Sequence, residues 1–487
     1  MPKLLFLFCS IYLLSVISAG CQNTFEKLTP ERIGSQFVSA INSSNPTEHA
    51  AIAREIHAPT MIESNGIETL AKRFQQLHDQ YAPMEYHHSD QLVFSRPGGD
   101  SYILHVYGRK QGAVMWSDFQ FRLEPTPPHR ITNLVFVAEV AEPVSLPNGS
   151  IEQKETLDWL NGYIEKMERE NDLSGSILIA KGEQVLFEKY WGLANIEQSK
   201  KITAETLFGM ASGSKMFTAT AIMQLMEKGK LKLTDKLTDY FPDFPKKDWA
   251  ERVTLEQMLS HTSGIAEYWT SENEPAMLNF TDWHQFVPLI YKEGFLSEPG
   301  TQHRYSNSNF MLLGQVIEQA SGQDYYTYIE ENILKKSGMG HSGWFDHADP
   351  SLPLVMPYAR NGESGWKTAK HFKKGSPAGG CVSNCTDMLN FAKALKNKQL
   401  ITEQSLKNMT ADKTLGTKDA EPYGLGFILE KHAQEPTFGH GGTTGGVNFE
   451  FRYFPRQDIV LVVFNNQNNG AYDDLKRNTI KLISGER

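Results

Sequence analysis

Apolar residues recur at helical spacing along the first part of the chain, then at every second position. In TPERIGSQFVSAI, Thr29 stands where a helix cap belongs and Pro30 at the first helical position. Ile33, Phe37 and Ile41 then fall on one face. A second helix is predicted over TEHAAIAREIH, and a third carries Leu70, Phe74, Leu77 and Tyr81 on one side. Strand-like runs follow, punctuated by the turn signals RPGGD and RKQGA. DFQFRLE places Phe119, Phe121 and Leu123 on one side of a strand. Helices followed by a strand meander predict a small α+β unit over residues 25–141.

Beyond EPVSLPNGS, a polar, proline-bearing stretch that reads as a linker over 142–150, the pattern changes. LDWLNGYIEKM is an amphipathic helix. GSILIAKGEQVLFEKYWG reads as a hairpin turning near KGEQ, and GGVNFEFRYFPRQDIVLVVFNN as another turning at PRQD. DDLKRNTIKLI closes the chain as a helix. Short turns force antiparallel pairing. The expected fold class over 151–487 is therefore α/β, an antiparallel sheet covered by helices with a mostly helical middle section as a separate lobe.

The length of 487 residues allows several domains, and the hydrophobic fraction of 40 % is that of a globular protein with a real core. The formal charge of −9 and the lack of a Lys/Arg-rich run argue against a nucleic-acid partner. Residues 1–20 read as a signal peptide: Lys3, the short apolar run LLFLFCSIYLLSVI, then small residues up to Cys21. Cleavage there would leave the mature chain outside the cytoplasm. Cys21 is the candidate lipid-bearing residue, with ordinary cleavage near the same place as the alternative. Of the four cysteines, Cys381 and Cys385 remain in the body of the chain, as two buried thiols or as a disulfide. His87 and His88 are neighbours on a predicted strand. They should point to opposite faces and stay separate surface residues rather than share an ion.

The chemistry centres on FGMASGSKMFTATAI. A serine hydroxyl is a poor nucleophile near neutral pH and needs a base within hydrogen-bond reach. Ser212 and Lys215 are three positions apart at the start of a helical run, on one face; Ser214 points about 100° away from Lys215. A buried lysine gives up its proton readily and can serve as that base. Ser-x-x-Lys alone is a common accident, since a serine cap and a solvated lysine look the same. Two further motifs follow in order, Tyr305-Ser306-Asn307 and His440-Gly441-Gly442 at the entry to the last hairpin.

With these three motifs, residues of about 170 to 485 resemble the serine β-lactamase-related hydrolases of the class C type, a group that includes D-Ala-D-Ala carboxypeptidases, D-aminopeptidases and esterases. Supporting stretches appear in the same order: GSILIAKGEQVLFEKYWGLAN, TLFGMASGSK, TLEQMLSHTSGI, EPGTQHRYSNSNFMLLG and PAGGCVSNCTDMLNFA. The resemblance implies a β-lactamase/transpeptidase-like fold and no metal or organic cofactor. It implies Ser212 as the acylated nucleophile, Lys215 as its assistant, and Tyr305 as base or proton shuttle with a lowered phenol pKa. Asn307 would hold Lys215 and meet the substrate. The backbone N–H groups of Ser212 and Thr443 would form the oxyanion hole. His261, in SHTSG, is expected to be a structural loop residue. The first 150 residues lie outside the resemblance. Their pattern is similar only in architecture to the small cone-like domains of cystatin-like or nuclear-transport-factor-like type.

The third motif departs from the Lys-Thr-Gly of penicillin-recognising enzymes. His440 replaces the lysine and Gly441 the threonine, while Gly442 is kept. A histidine is neutral much of the time near pH 7 and glycine has no hydroxyl, so recognition of a free carboxylate should weaken. The expected function is an exported serine hydrolase of the periplasm or cell envelope, of esterase or D-amino-acid-peptidase type. Its partner is a small-molecule or peptide acyl substrate, and Cys21 provides the route to membrane attachment. A D-Ala-D-Ala carboxypeptidase or β-lactamase is the alternative within the same mechanism, and a non-catalytic envelope binding protein the alternative outside it.

Overall fold

The structure, a computed structural model, describes residues 28–94, 101–113, 115–171, 173–347, 349–360, 365–369, 374–417, 421–433, 435–468 and 470–485. The predicted signal segment and Cys21 lie outside the described residues. The chain divides into two compact units, Met1–Ala138 and Glu139–Arg487.

In the first unit, helices α1 (Pro30–Asn42), α2 (Pro46–Ile56), α3 (Pro59–Asn65) and α4 (Ile67–Tyr81) precede four strands, β1 (Met84–Phe94), β2 (Ser101–Lys110), β3 (Trp116–Leu123) and β4 (Ile131–Val140). The strands pair in chain order. Thr29 caps α1 by accepting the Arg32 N–H at 3.2 Å. Phe37, Leu70, Phe74, Phe119 and Phe121 are buried together, so the helical stripes meet the inner face of the meander. At His87 and His88 the expected opposite facing fails, although His87 is exposed and His88 half-buried at the surface. A bulge between Tyr86 and His88 lets adjacent residues share a side, and their rings meet with Nδ1 atoms 2.7 Å apart. Even so, no group of three or more metal-ligating side chains forms among the described residues.

The second unit is built on a six-stranded antiparallel sheet. Its strands are β5 (Gly175–Lys181), β6 (Gln184–Trp191), β7 (Ile428–His432), β8 (Glu435–Thr444), β9 (Val447–Phe454) and β10 (Ile459–Asn465). The order is β7-β8-β9-β10-β5-β6, so the early hairpin is stitched to the late one through the β10–β5 pair. Residues alternate between the faces. Ile177, Ile179, Leu461 and Val463 pack against the helices Lys154–Asn171 and Ala471–Ser484. Leu178, Ala180, Phe449, Phe451 and Val462 face the helical lobe inserted between the hairpins.

The lobe is organised around the helix Lys215–Glu227, here α5, which is buried on every side from Lys215 to Leu225. Helix α6 (Asn307–Ser321) packs against it, and α7 (Cys385–Lys396) covers the sheet. Cys381 and Cys385 are both free and buried. Among the described residues no helix is long and apolar enough to cross a membrane.

Candidate active site

The turn before α5 is a 3-10 helix, Ala211–Ser214, tighter than the α-helix the spacing suggested. It still brings Ser212 and Lys215 together: Lys215 Nζ lies 3.1 Å from Ser212 Oγ. Lys215 also donates to Asn307 Oδ1 at 2.7 Å and to the Ala378 carbonyl at 2.6 Å. Its side chain is wholly buried, and desolvation brings the amine down to about 7, with Glu267 pulling in the opposite direction. A neutral amine has two N–H groups and one lone pair. Asn307 Oδ1 and the Ala378 carbonyl can only accept, so they take the two N–H groups and leave the lone pair to the Ser212 hydroxyl.

Ser214 points elsewhere. Its hydroxyl donates to the Ala211 carbonyl and accepts the Cys381 N–H, both at 3.0 Å. It ties the loop at 374–381 to the start of α5, and so helps place the Ala378 carbonyl over Lys215.

Tyr305 lies with its ring 4.9 Å from Lys215 Nζ and is 39 % exposed at the mouth of the site. The phenol pKa differs from the expected lowering. Desolvation pushes it up, partly offset by hydrogen bonding with Ser212. Tyr305 therefore carries its proton at neutral pH. Beneath it lies the His261 ring, with centroids 4.2 Å apart. His261 Nδ1 accepts the Ser306 N–H at 3.1 Å, which holds the Tyr305–Asn307 turn in place rather than joining Ser212.

His440 is enclosed. Its Nδ1 meets the Gly441 carbonyl at 2.5 Å and its Nε2 meets the Tyr423 hydroxyl at 3.0 Å. The carbonyl can only accept, so Nδ1 carries the proton and Nε2 accepts from Tyr423. Burial, reinforced by Lys215, lowers its pKa to about 3. The ring offers no charge and no free nitrogen to a ligand. Gly441 and Gly442 continue the strand past the Ala211–Ser214 turn. A Cβ on Gly442 would stand 2.2 Å from the Met210 carbonyl and 2.9 Å from the Ser212 nitrogen. Only a glycine lets β8 run this close, with Thr443 next in line.

A cavity of about 400 Å³ opens here, lined by Ser212, Asn307 and Thr443 together with Tyr268, Trp269 and Phe286. A larger one, about 540 Å³, lies against α7 and the β7–β9 edge, lined by Leu395, Leu406 and Phe438 among others. Ser212 lines the smaller cavity and not this one.

Three contributors escaped the sequence reading: Glu267, the Ala378 carbonyl and Tyr423. Glu267 directly follows the SHTSGIA stretch, but nothing in its spacing links it to Asn307, 40 residues on.

The model of the family described as Beta-lactamase matches residues 163–485. PbpX of Bacillus subtilis (strain 168) is 27 % identical over 342 residues, 69 % of this chain and 82 % of the relative. A penicillin binding protein from Bacillus halodurans superposes with a TM-score of 0.60 at 30 % identity, over 66 % of this chain and 98 % of that one. The D-amino acid amidase of Ochrobactrum anthropi SV3 shares the fold, with a TM-score of 0.60 at 21 % identity over 68 % of this chain and 99 % of its own. Family match, fold and the paired serine and lysine agree: the chain belongs to the beta-lactamase family and is a serine hydrolase.

Proposed function

We propose that this protein is an exported hydrolase that cleaves an ester or amide through an acyl-enzyme on Ser212, of esterase or D-amino-acid-peptidase type. The observation that carries the reading is the partner set of Lys215: two obligate acceptors and the Ser212 hydroxyl around an amine held near neutrality. Lys215 takes the Ser212 proton as Oγ attacks the acyl carbonyl. The N–H groups of Ser212 and Thr443 receive the developing oxyanion. The leaving alkoxide or amine is protonated by the Lys215 ammonium or, at the mouth, by the Tyr305 phenol, whose proton is retained near pH 7. Water then attacks the acyl-enzyme ester, giving its proton to the Lys215 amine, and Lys215 returns that proton to Ser212 Oγ as the C–Oγ bond breaks and the acid product leaves. Asn307 holds Lys215 and faces the cavity, where it can meet the substrate's amide.

The enclosed, uncharged His440 favours substrates without a free carboxylate at that position. Export rests on the signal-like residues 1–20, with Cys21 as the lipid-bearing residue of an envelope-attached form. A D-Ala-D-Ala carboxypeptidase or penicillin-binding activity is the second reading, favoured by the Bacillus halodurans relative. The test is turnover of short-chain p-nitrophenyl esters with mass detection of the adduct. An acyl group on Ser212, absent in Ser212→Ala, is expected. No adduct with any acylating probe would instead indicate a binding protein, and rapid acylation by fluorescent penicillin would favour the second reading.

A further inference from the structure

The carboxylate of Glu267 is placed by contacts that do not involve Lys215. Its neighbours are stitched to the start of α6: the Ala266 carbonyl accepts the hydroxyls of Ser306 at 3.3 Å and Ser308 at 2.6 Å, and Ser308 Oγ accepts the Tyr268 N–H at 3.0 Å. Between these ties, Glu267 Oε1 accepts the Trp269 N–H at 3.0 Å. Its Oε2 accepts two N–H groups of one residue, the Asn307 backbone at 2.6 Å and Asn307 Nδ2 at 3.0 Å. Ser306, at the capping position of α6, makes no side-chain cap. Glu267 supplies that acceptor from another segment, where the helix dipole favours a negative group.

An asparagine amide can turn over, exchanging oxygen and nitrogen with little change in shape. Here one orientation puts Oδ1 against Lys215 Nζ at 2.7 Å, and the other would put an NH2 there. A carboxylate can only accept, so the Nδ2 group must face Glu267 and the oxygen must face the lysine. We propose that Glu267 is a positioning residue for acylation, fixing the Asn307 amide so that its oxygen holds the Lys215 amine with the lone pair on Ser212. This rests on the reading of Ser212 as the acylated residue.

Among the described residues, the ionisable groups around Lys215 are Glu267, Tyr305, His261 and His440. Burial keeps both imidazoles neutral and Tyr305 protonated. Glu267 is thus the charged group that raises the Lys215 pKa against desolvation.

The experiment follows p-nitrophenolate release and the Ser212 acyl adduct from p-nitrophenyl acetate across pH 5–9, in the full chain, Glu267→Gln and Glu267→Asp. Glutamine fits the same space but presents an NH2 as readily as an oxygen, so Asn307 loses its fixed orientation. Glu267→Gln should lower the acylation kcat/KM by about 10–100-fold and move its acidic limb to lower pH. Glu267→Asp keeps the charge one methylene short: it should lose rate and keep the limb, and it decides the matter if the glutamine variant does not fold. A wild-type acylation rate in either variant overturns the role. So does a rate loss in Glu267→Gln with an unmoved limb, which marks a merely structural residue. An adduct on wild-type Ser212 with normal Glu267 variants removes only Glu267. No adduct on wild-type Ser212 removes the underlying reading, and the role with it.

Discussion

Lys215 Nζ stands 3.1 Å from Ser212 Oγ, and its other two partners are oxygens that cannot donate. The pH dependence follows from that geometry and from an amine brought down to about 7 by burial. Below this value the amine is protonated and has no lone pair for the serine proton; above it the lone pair is free. The acylation kcat/KM should rise through about pH 7 to a plateau. Lys215→Arg, permanently charged, should cost about 10²–10⁴-fold. Rate profiles on a p-nitrophenyl ester check both, and a rise centred near the ordinary lysine pKa would show that the amine is not held low.

The two serines of the opening motif should separate cleanly. Ser214→Ala keeps Ser212, Lys215 and the proposed oxyanion donors but leaves the buried Cys381 N–H without its acceptor. A buried polar group left unpaired costs about 1–3 kcal/mol. The variant should therefore still form the acyl-enzyme and show a lowered midpoint in urea. Ser212→Ala should show the reverse, normal stability and no adduct. Equal activity losses in both would contradict the assignment.

What could be read beforehand follows the range of each interaction. The Ser212–Lys215 pair is local, set by three residues of helical spacing, and both hairpins of the large sheet are announced by their own turns. The joining of β5 to β10 is not local, nor is the contact of Lys215 with Ala378, 163 residues away; that with Asn307, 92 away, is expected from the family resemblance and not from spacing. The Tyr305 phenol went the other way from expectation because desolvation outweighs its hydrogen bond with Ser212, and the Glu267 charge pushes in the same direction as desolvation. His87 and His88 misled for a different reason: strand alternation holds only in a regular ladder, and a bulge of one residue reverses it.

Charge discrimination at the third motif is a separate expectation. With its pKa lowered to about 3 and both nitrogens engaged, His440 stays neutral from pH 5 to 9. A peptide substrate should be cleaved at least as fast with its C-terminus amidated as with a free carboxylate. The ratio of the two kcat/KM values should not bend through the usual histidine range. A tenfold preference for the free acid would mean that some other cation does the work of the missing lysine.

The close passage of β8 beside the Ala211–Ser214 turn gives the sharpest structural test. A Cβ at position 442 would lie 2.2 Å from the Met210 carbonyl and 2.9 Å from the Ser212 nitrogen, both backbone atoms of the turn that carries Ser212. Neither contact can be relieved by rotating a side chain, so Gly442→Ala must push the strand and the turn apart. The proposed oxyanion donors, Ser212 N–H on the turn and Thr443 N–H on the strand, then no longer converge on one oxygen. Losing one such donor costs about 10²–10³-fold in kcat, and the variant should fall in that range with its secondary structure intact by circular dichroism. Gly213→Ala provides the contrast. Its Cβ would meet the Phe449 ring at 2.2 Å, in the core beneath the same turn, so its loss should appear in thermal stability as well as in rate. If Gly442→Ala keeps wild-type kcat, Thr443 is not the second donor, and the oxyanion must be held elsewhere.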